Sequence, residues 1–281
     1  MSDPVAATRD KDVRTITITI DVNASPEDVW RALTDASELV RWFPLQARVT
    51  PGPDGSMRWS WDDTWSTDTS IETWTPPHRL VLVEERPAFD ADGKPVPGSR
   101  AARMTMEFTL EVQGGGTTRL RLVHSGFGSD AGWDDELDAT SAGWNVELRN
   151  LRHYLEGHRG HDRIYARAQH TTTVPSDDVW RRLLGPSGFQ IVDGRLEEHA
   201  RCTLRSPWGE EISGSVLWIE PGWDVLLAVD RLDRGLLRLS TWKAPGQTGV
   251  HIWLSAYNSS FAADVSAFGL EADSFLKLMS S

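Results

Sequence analysis

The sequence predicts an α+β protein built from two tandem copies of one domain. Three observations predict it. The tetrapeptide Asp28-Val29-Trp30-Arg31 recurs as Asp178-Val179-Trp180-Arg181, and further segments of the two halves match in the same order. In addition, 281 residues exceed what one hydrophobic core of ordinary size organises. The expected domains are 1–158 and 159–281, with the polar stretch EGHRGHD at 156–162 as linker.

The first copy opens with RTITITIDV at 14–22, where Ile16, Ile18, Ile20 and Val22 share one face: a half-buried strand. Ser25, Pro26 and Asp28 then supply an N-cap, a proline in the first helical turn and an acidic first turn, so a short helix starts there. A second short helix, SELVRWF at 37–43, ends before Pro44. Strands are expected at 55–61, 66–74, 79–86, 103–111 and 118–125, separated by turn clusters such as PGPDG, TPPH and QGGG. A long helix over 141–156 closes the copy, with Trp144, Leu148, Leu151 and Leu155 on one face.

The second half follows this plan with shorter loops. Arg163–Thr172 falls on the first strand, and SIETWTPPHRLVLV meets SVLWIEPGWDVLLA, pairing Ile71 with Val216, Trp74 with Ile219, Pro76 with Pro221 and Leu80 with Val225. RLRLVHSGF meets GVHIWLSAY, and a final helix over 263–279 carries Val265, Phe268, Ala272, Phe275 and Met279 at helical spacing. The Trp42-Phe43 helix and the connection PAFDADGKPVPGS have no counterpart.

Composition excludes several functions. A net charge of -12 repels nucleic acid and anionic membranes, so neither is expected as a partner. The lone Cys202 precludes an intrachain disulfide and a thiolate-based zinc site. The first residues lack a signal-peptide core and no run is long enough to span a bilayer, so a cytoplasmic location is expected. HRGHD at 158–162 reads as a solvated linker rather than a metal site, QGGG lacks the context of a phosphate loop, and there is no Gly-x-Ser-x-Gly elbow. No metal, cofactor or catalytic residue is assigned.

ASPEDVWRALTDASELVRWF, WTPPHRLVLV, and LRLVHSGF followed by Gly132-Trp133 and an amphipathic helix resemble the SRPBCC (START-like, helix-grip) superfamily, in its activator-of-Hsp-ATPase-like (AHSA-type) branch. The resemblance covers about residues 14–158, and 163–281 as a diverged copy. It implies that each domain is a curved antiparallel sheet wrapped around its C-terminal helix, with a hydrophobic cavity between them. It also implies a family whose members bind lipids, hormones or polyketides, cyclise polyketides or assist chaperones. The family has no shared catalytic motif to carry over, and fold alone does not give function.

Strand alternation nominates the residues that face such a cavity. His124 shares a face with Leu120 and Leu122, and the other inward sets supply Met57, Trp59 and Trp61, then Met104, Met106 and Phe108, with Trp144 from the closing helix. Apolar, aromatic walls around one imidazole suit a flat hydrophobic ligand. The expected binding residues are therefore Trp59, Trp61, Met104, Met106, Phe108, His124 and Trp144. The alternative is that these side chains fill a core, with His124 bonded to a backbone carbonyl or a serine hydroxyl. Glu72 and Glu84 are candidate acids if they turn inward, and Arg103 falls on the outward set. In the second copy Leu254 stands at the His124 position, and Ala166 and Ala168 replace Ile16 and Ile18, so the first copy is the better candidate for a ligand site.

The function expected is binding of a small hydrophobic, aromatic or lipid-like molecule by the first domain, without catalysis. Two alternatives stay open: a polyketide cyclase or aromatase-like enzyme using His124, and a chaperone-regulator-like protein-binding module. In the second copy, parity puts His251 and Trp253, and with them Trp242, on the outer face. An exposed tryptophan pair is expected to be covered, by the first domain or by a second molecule in a homodimer.

Overall fold

The computed structural model describes residues 6–10, 14–62, 65–86, 102–128, 133–244 and 246–280. The connection 87–101, which includes the whole of PAFDADGKPVPGS, lies outside the described residues. The chain divides into two compact units, Met1–Gly160 and His161–Ser281.

The first unit runs β1 (Ala6–Asp10), β2 (Thr15–Val22), α1 (Pro26–Thr34), α2 (Ala36–Trp42), β3 (Gln46–Thr50), β4 (Ser56–Ser60), β5 (Ser66–Thr75), β6 (Arg79–Arg86), β7 (Ala102–Gly114), β8 (Thr117–Ser125) and α3 (Asp134–His153). Its strands form one antiparallel sheet in the order β1-β2-β8-β7-β6-β5-β4-β3. Local chemistry sets these elements. In β2 the isoleucines are buried and the threonines half-buried, as the alternation requires. Ser25 Oγ accepts from the Asp28 amide at 3.2 Å and Pro26 occupies the first turn of α1. Asp35 caps α2 through the Ser37 amide at 2.8 Å. The glycines Gly114, Gly115 and Gly116 all take positive φ, which lets QGGG reverse the chain between β7 and β8.

One sheet face is buried under α3, whose Leu137, Trp144, Leu148 and Leu151 are buried. On the solvent face, ion pairs cross the strands, among them Arg119 with Asp21 at 2.8 Å, Arg103 with Glu72 at 2.6 Å and Arg79 with Glu107 at 2.7 Å. Being exposed, such pairs contribute little stability.

The sequence reading needs three corrections. β1 and β3 were not expected, since the burial of β3 alternates only between exposed and intermediate positions and presents no apolar stripe. The closing helix starts at Asp134 rather than 141, because its polar first turns carry no periodic signal. It also continues through a π-helical turn, Tyr154–His158, so this part of the expected linker is structured. His158 is buried, not solvated, with its Nε2 3.2 Å from His153 Nε2.

The second unit repeats the plan: β9 (Ile164–Thr172), α4 (Ser176–Leu183), β10 (Gln190–Gly194), β11 (Arg201–Arg205), β12 (Glu211–Glu220), β13 (Asp224–Val229), β14 (Gly235–Ala244), β15 (Gln247–Ala256) and α5 (Ala262–Ser280). Its antiparallel sheet has the order β10-β11-β12-β13-β14-β15-β9. Registers match across the copies: Ile18 lies opposite Leu122 as Ala168 lies opposite Ile252, and Ile16 opposite His124 as Ala166 opposite Leu254. The fold is thus two tandem helix-grip domains.

The two interiors are closed differently. A Cβ built on Gly269 of α5 would lie 2.6 Å from Ala166 Cβ, so glycine on the helix and alanine on the strand let α5 settle close to β9. Val265, Phe268, Ala272 and Leu276 complete that core. Gly269→Val is expected to push α5 off the sheet and destabilise the second unit by about 1–3 kcal/mol. Urea denaturation checks this, and an unchanged midpoint would show that the helix does not need the close approach.

The outward assignment in β15 agrees with the structure. Val250, Ile252 and Leu254 enter the core, while Trp253 stacks on Tyr165 with ring centroids 5.1 Å apart and carries Arg163 over its ring. Trp242 lies opposite Gly249, where an added Cβ would meet its indole.

Candidate functional site

The inward residues of the first sheet and of α3 form a connected set of rings. Phe43, the C-cap of α2, is its hub: it stacks on Trp144 at 5.5 Å and meets Trp59 and Trp61 edge-on, each at 5.2 Å. Trp144 in turn meets Phe108 edge-on at 5.8 Å and the His124 ring at 6.3 Å. On the other side Trp61 stacks on Trp65 at 4.4 Å, and Trp65 is 58% exposed. The rings therefore run from the surface at Trp65 to a buried imidazole.

Of the residues nominated from sequence, Trp59, Met104, Met106, Phe108, His124 and Trp144 are buried and Trp61 is half-buried. The ring contacts join Trp59, Trp61, Phe108, His124 and Trp144, and Met106 lies directly opposite His124 in the β7–β8 register. Met104 shares the face of Met106 and sits opposite Glu84. Sequence reasoning missed Phe43, Trp65 and Phe127, which is 5.1 Å from the His124 ring. The available signal for Phe43 was its position beside Trp42 at a helix end, where an aromatic doublet cannot put both rings on one helical face.

His124 has a defined chemical state. Its Nδ1 accepts from Trp144 Nε1 at 3.0 Å, rather than the ring bonding a backbone carbonyl or serine. Burial, followed by the charge of Arg86, lowers the imidazole pKa to about 3. The ring is therefore neutral near pH 7 and, with Nδ1 an acceptor, carries its proton on Nε2. Among the described residues, that Nε2–H is buried without a hydrogen-bond partner, and so is the Nε1–H of Trp59. An unmade hydrogen bond of this kind costs about 1–3 kcal/mol.

The two carboxylates nominated from sequence, Glu84 and Glu72, are both held in ion pairs. Glu84 is on the inward set of β6, but Arg86 binds it at 3.0 Å and also reaches Glu136 of α3 at 2.6 Å. Glu72 faces outward to Arg103, which is itself exposed as its parity required. A second buried polar group lies between α2 and the end of α3: Tyr154 donates to Glu38 at 2.6 Å and Arg41 donates to the same carboxylate at 2.8 Å. Burial, with the Glu38 hydrogen bond, raises the Tyr154 pKa. These groups tie the helix ends together. Among the described residues, no three His, Cys, Asp or Glu are grouped to hold a metal ion, and no helix is long and apolar enough to cross a membrane.

Two sheets, each with a long helix packed on its apolar face, define a tandem helix-grip protein. Within the first unit, residues 23–156 match the family described as "Activator of Hsp90 ATPase homolog 1-like protein". No curated protein matches the sequence. Among solved structures, the chain is similar to DynU16, "a putative protein in the dynemicin biosynthetic locus", at 16% identity over 95% of this chain and 98% of that one, TM-score 0.42. It is similar to the di-domain ARO/CYC BexL from the BE-7585A biosynthetic pathway at 17% identity over 94% and 92%, TM-score 0.43. The Aha1 dimer from Colwellia psychrerythraea is 19% identical over 50% of this chain and 96% of that chain, TM-score 0.40.

Proposed function

We propose that the first unit binds a small, flat hydrophobic molecule among the inward rings of its helix-grip sheet and does no chemistry on it. The observation that supports this reading most is the connected path of rings from exposed Trp65 through Trp61 and Phe43 to Trp144 and His124. Stacked and edge-on rings offer a flat apolar ligand large contact area at low entropic cost. The Met104 and Met106 thioethers beside them are adaptable and polarisable. Binding without catalysis is favoured over a cyclase-like reaction because His124 is a poor base with a pKa of about 3, and its Nδ1 is already engaged. Glu84, the carboxylate on the inward set of β6, is held by Arg86.

Titration of the full chain with fluorene, followed by tryptophan fluorescence, tests the reading. The expected result is saturable quenching at one equivalent, weakened about fivefold by Trp61→Ala through loss of a ring contact. Absence of saturable quenching by fluorene and by its ketone, fluorenone, up to their solubility limits would overturn it.

A further inference from the structure

We infer that the molecule bound by the first unit is a neutral, flat aromatic compound carrying carbonyl oxygens, accepted by two buried donors, His124 Nε2–H and Trp59 Nε1–H. The inference rests on the reading above and narrows it from shape to hydrogen-bonding character. The tautomer of His124 is set by Trp144, whose Nε1–H occupies Nδ1 at 3.0 Å and leaves Nε2 as the donor. Indole nitrogen is a donor only, so Trp59 Nε1 cannot change role. Among the described residues both groups are buried without a partner, and both belong to the same ring set, joined through Trp144 and Phe43.

Buried donors in native proteins are nearly always paired, so two unpaired ones on one set of ligand-sized rings select a partner rich in acceptors. The thioethers of Met104 and Met106 are weak acceptors and cannot play that part for either donor as a carbonyl can. Asn150 Oδ1 is an acceptor without a partner among the described residues, and its amide nitrogen donates to the Trp42 carbonyl. A ligand carboxylate would need a cation, and Arg86, the charge felt at His124, is already shared between Glu84 and Glu136.

Fluorene and fluorenone test the inference, because they share one flat frame and differ by a carbonyl. Without hydrogen bonds the carbonyl would cost desolvation and fluorene would bind more tightly. The expected result, by equilibrium dialysis against the full chain, is that fluorenone binds at least about tenfold more tightly than fluorene, the size of one well-made buried hydrogen bond. The carbonyl stretch of bound fluorenone should fall in wavenumber relative to that in hexane. In the variant carrying Trp59→Phe and His124→Asn, which keeps an acceptor for Trp144 but has an amide too short to place a donor where Nε2 was, the preference should vanish and the stretch return toward the hexane value. If the double variant fails to fold, Trp59→Phe alone should lose part of the preference. Equal binding of the two probes to the wild-type chain, or a preference unchanged by Trp59→Phe and by the double variant, overturns the acceptor inference and leaves the binding reading standing. Failure of both probes to bind overturns the binding reading and this inference with it.

Discussion

Replacing Trp144 with alanine is expected to destabilise the first unit by about 3–5 kcal/mol, the range for removing a buried indole from a packed core. Trp144 is 7% exposed, stacks on Phe43, meets Phe108 edge-on and donates to His124. Its loss therefore removes ring contacts and leaves His124 with neither ring nitrogen paired. Trp144→Phe separates the two effects. It keeps a six-membered ring in the core and removes the N–H together with the five-membered ring, so at least about 1–3 kcal/mol of the loss should remain. Urea denaturation followed by circular dichroism reads both variants. A loss below about 1 kcal/mol for alanine would mean that the interior closes over the gap, and that Trp144 is not the central support of the ring set.

The second large effect is acid destabilisation through His124. Its folded pKa is depressed to about 3 from 6.5. The unfolded chain therefore takes up a proton between these values that the folded chain refuses. Stability is fully present above about pH 6.5 and is lost as pH falls toward the folded value, at about 1.4 kcal/mol per pH unit for the one proton. His124→Asn retains an acceptor near the Nδ1 position and cannot titrate. Its stability in urea should fall less steeply across this window, by that same slope, whatever its stability at neutral pH. Parallel slopes for variant and wild type would show that the folded protein protonates His124 and that the interior is wetter than its burial implies.

Legibility of the fold followed the strength of the local signal. β2 and β7 were readable because Ile16, Ile18 and Ile20, and likewise Met104, Met106 and Phe108, alternate with polar residues. The same alternation directed Trp59 and His124 inward. It could not place Phe43, which belongs to no periodic set and reaches the rings only because α2 stops where Pro44 follows. Nor could it find the partner of His124, since the bond to Trp144 joins a strand to a helix through tertiary packing. The misreading of His158 has the same origin: EGHRGHD is polar in composition, but the first part of it continues α3, where His158 is fixed against His153. In the second copy, Ala166 and Ala168 signalled a rebuilt interior from sequence alone, whereas the reason, the close approach of Gly269, required the helix to be in place.

The sheet order also governs how the chain can assemble as it is synthesised. In each unit the first long strand, β2 or β9, pairs with the last, β8 or β15. Asp21 waits for Arg119, 98 residues later, and His170 for Asp273 on α5, 103 residues later. Both β2 and β9 thus leave the ribosome with an unpaired edge and remain so until almost their whole unit has followed. Such non-local pairing makes folding slow and exposes early strands to wrong partners. Because the copies share their register, the strand most similar to a correct partner is the one in the other copy. The steric match lies with the helix: α5 approaches at Gly269 where β9 has Ala166, and β2 carries the bulkier Ile16 at the equivalent place, which disfavours an exchange between the two halves.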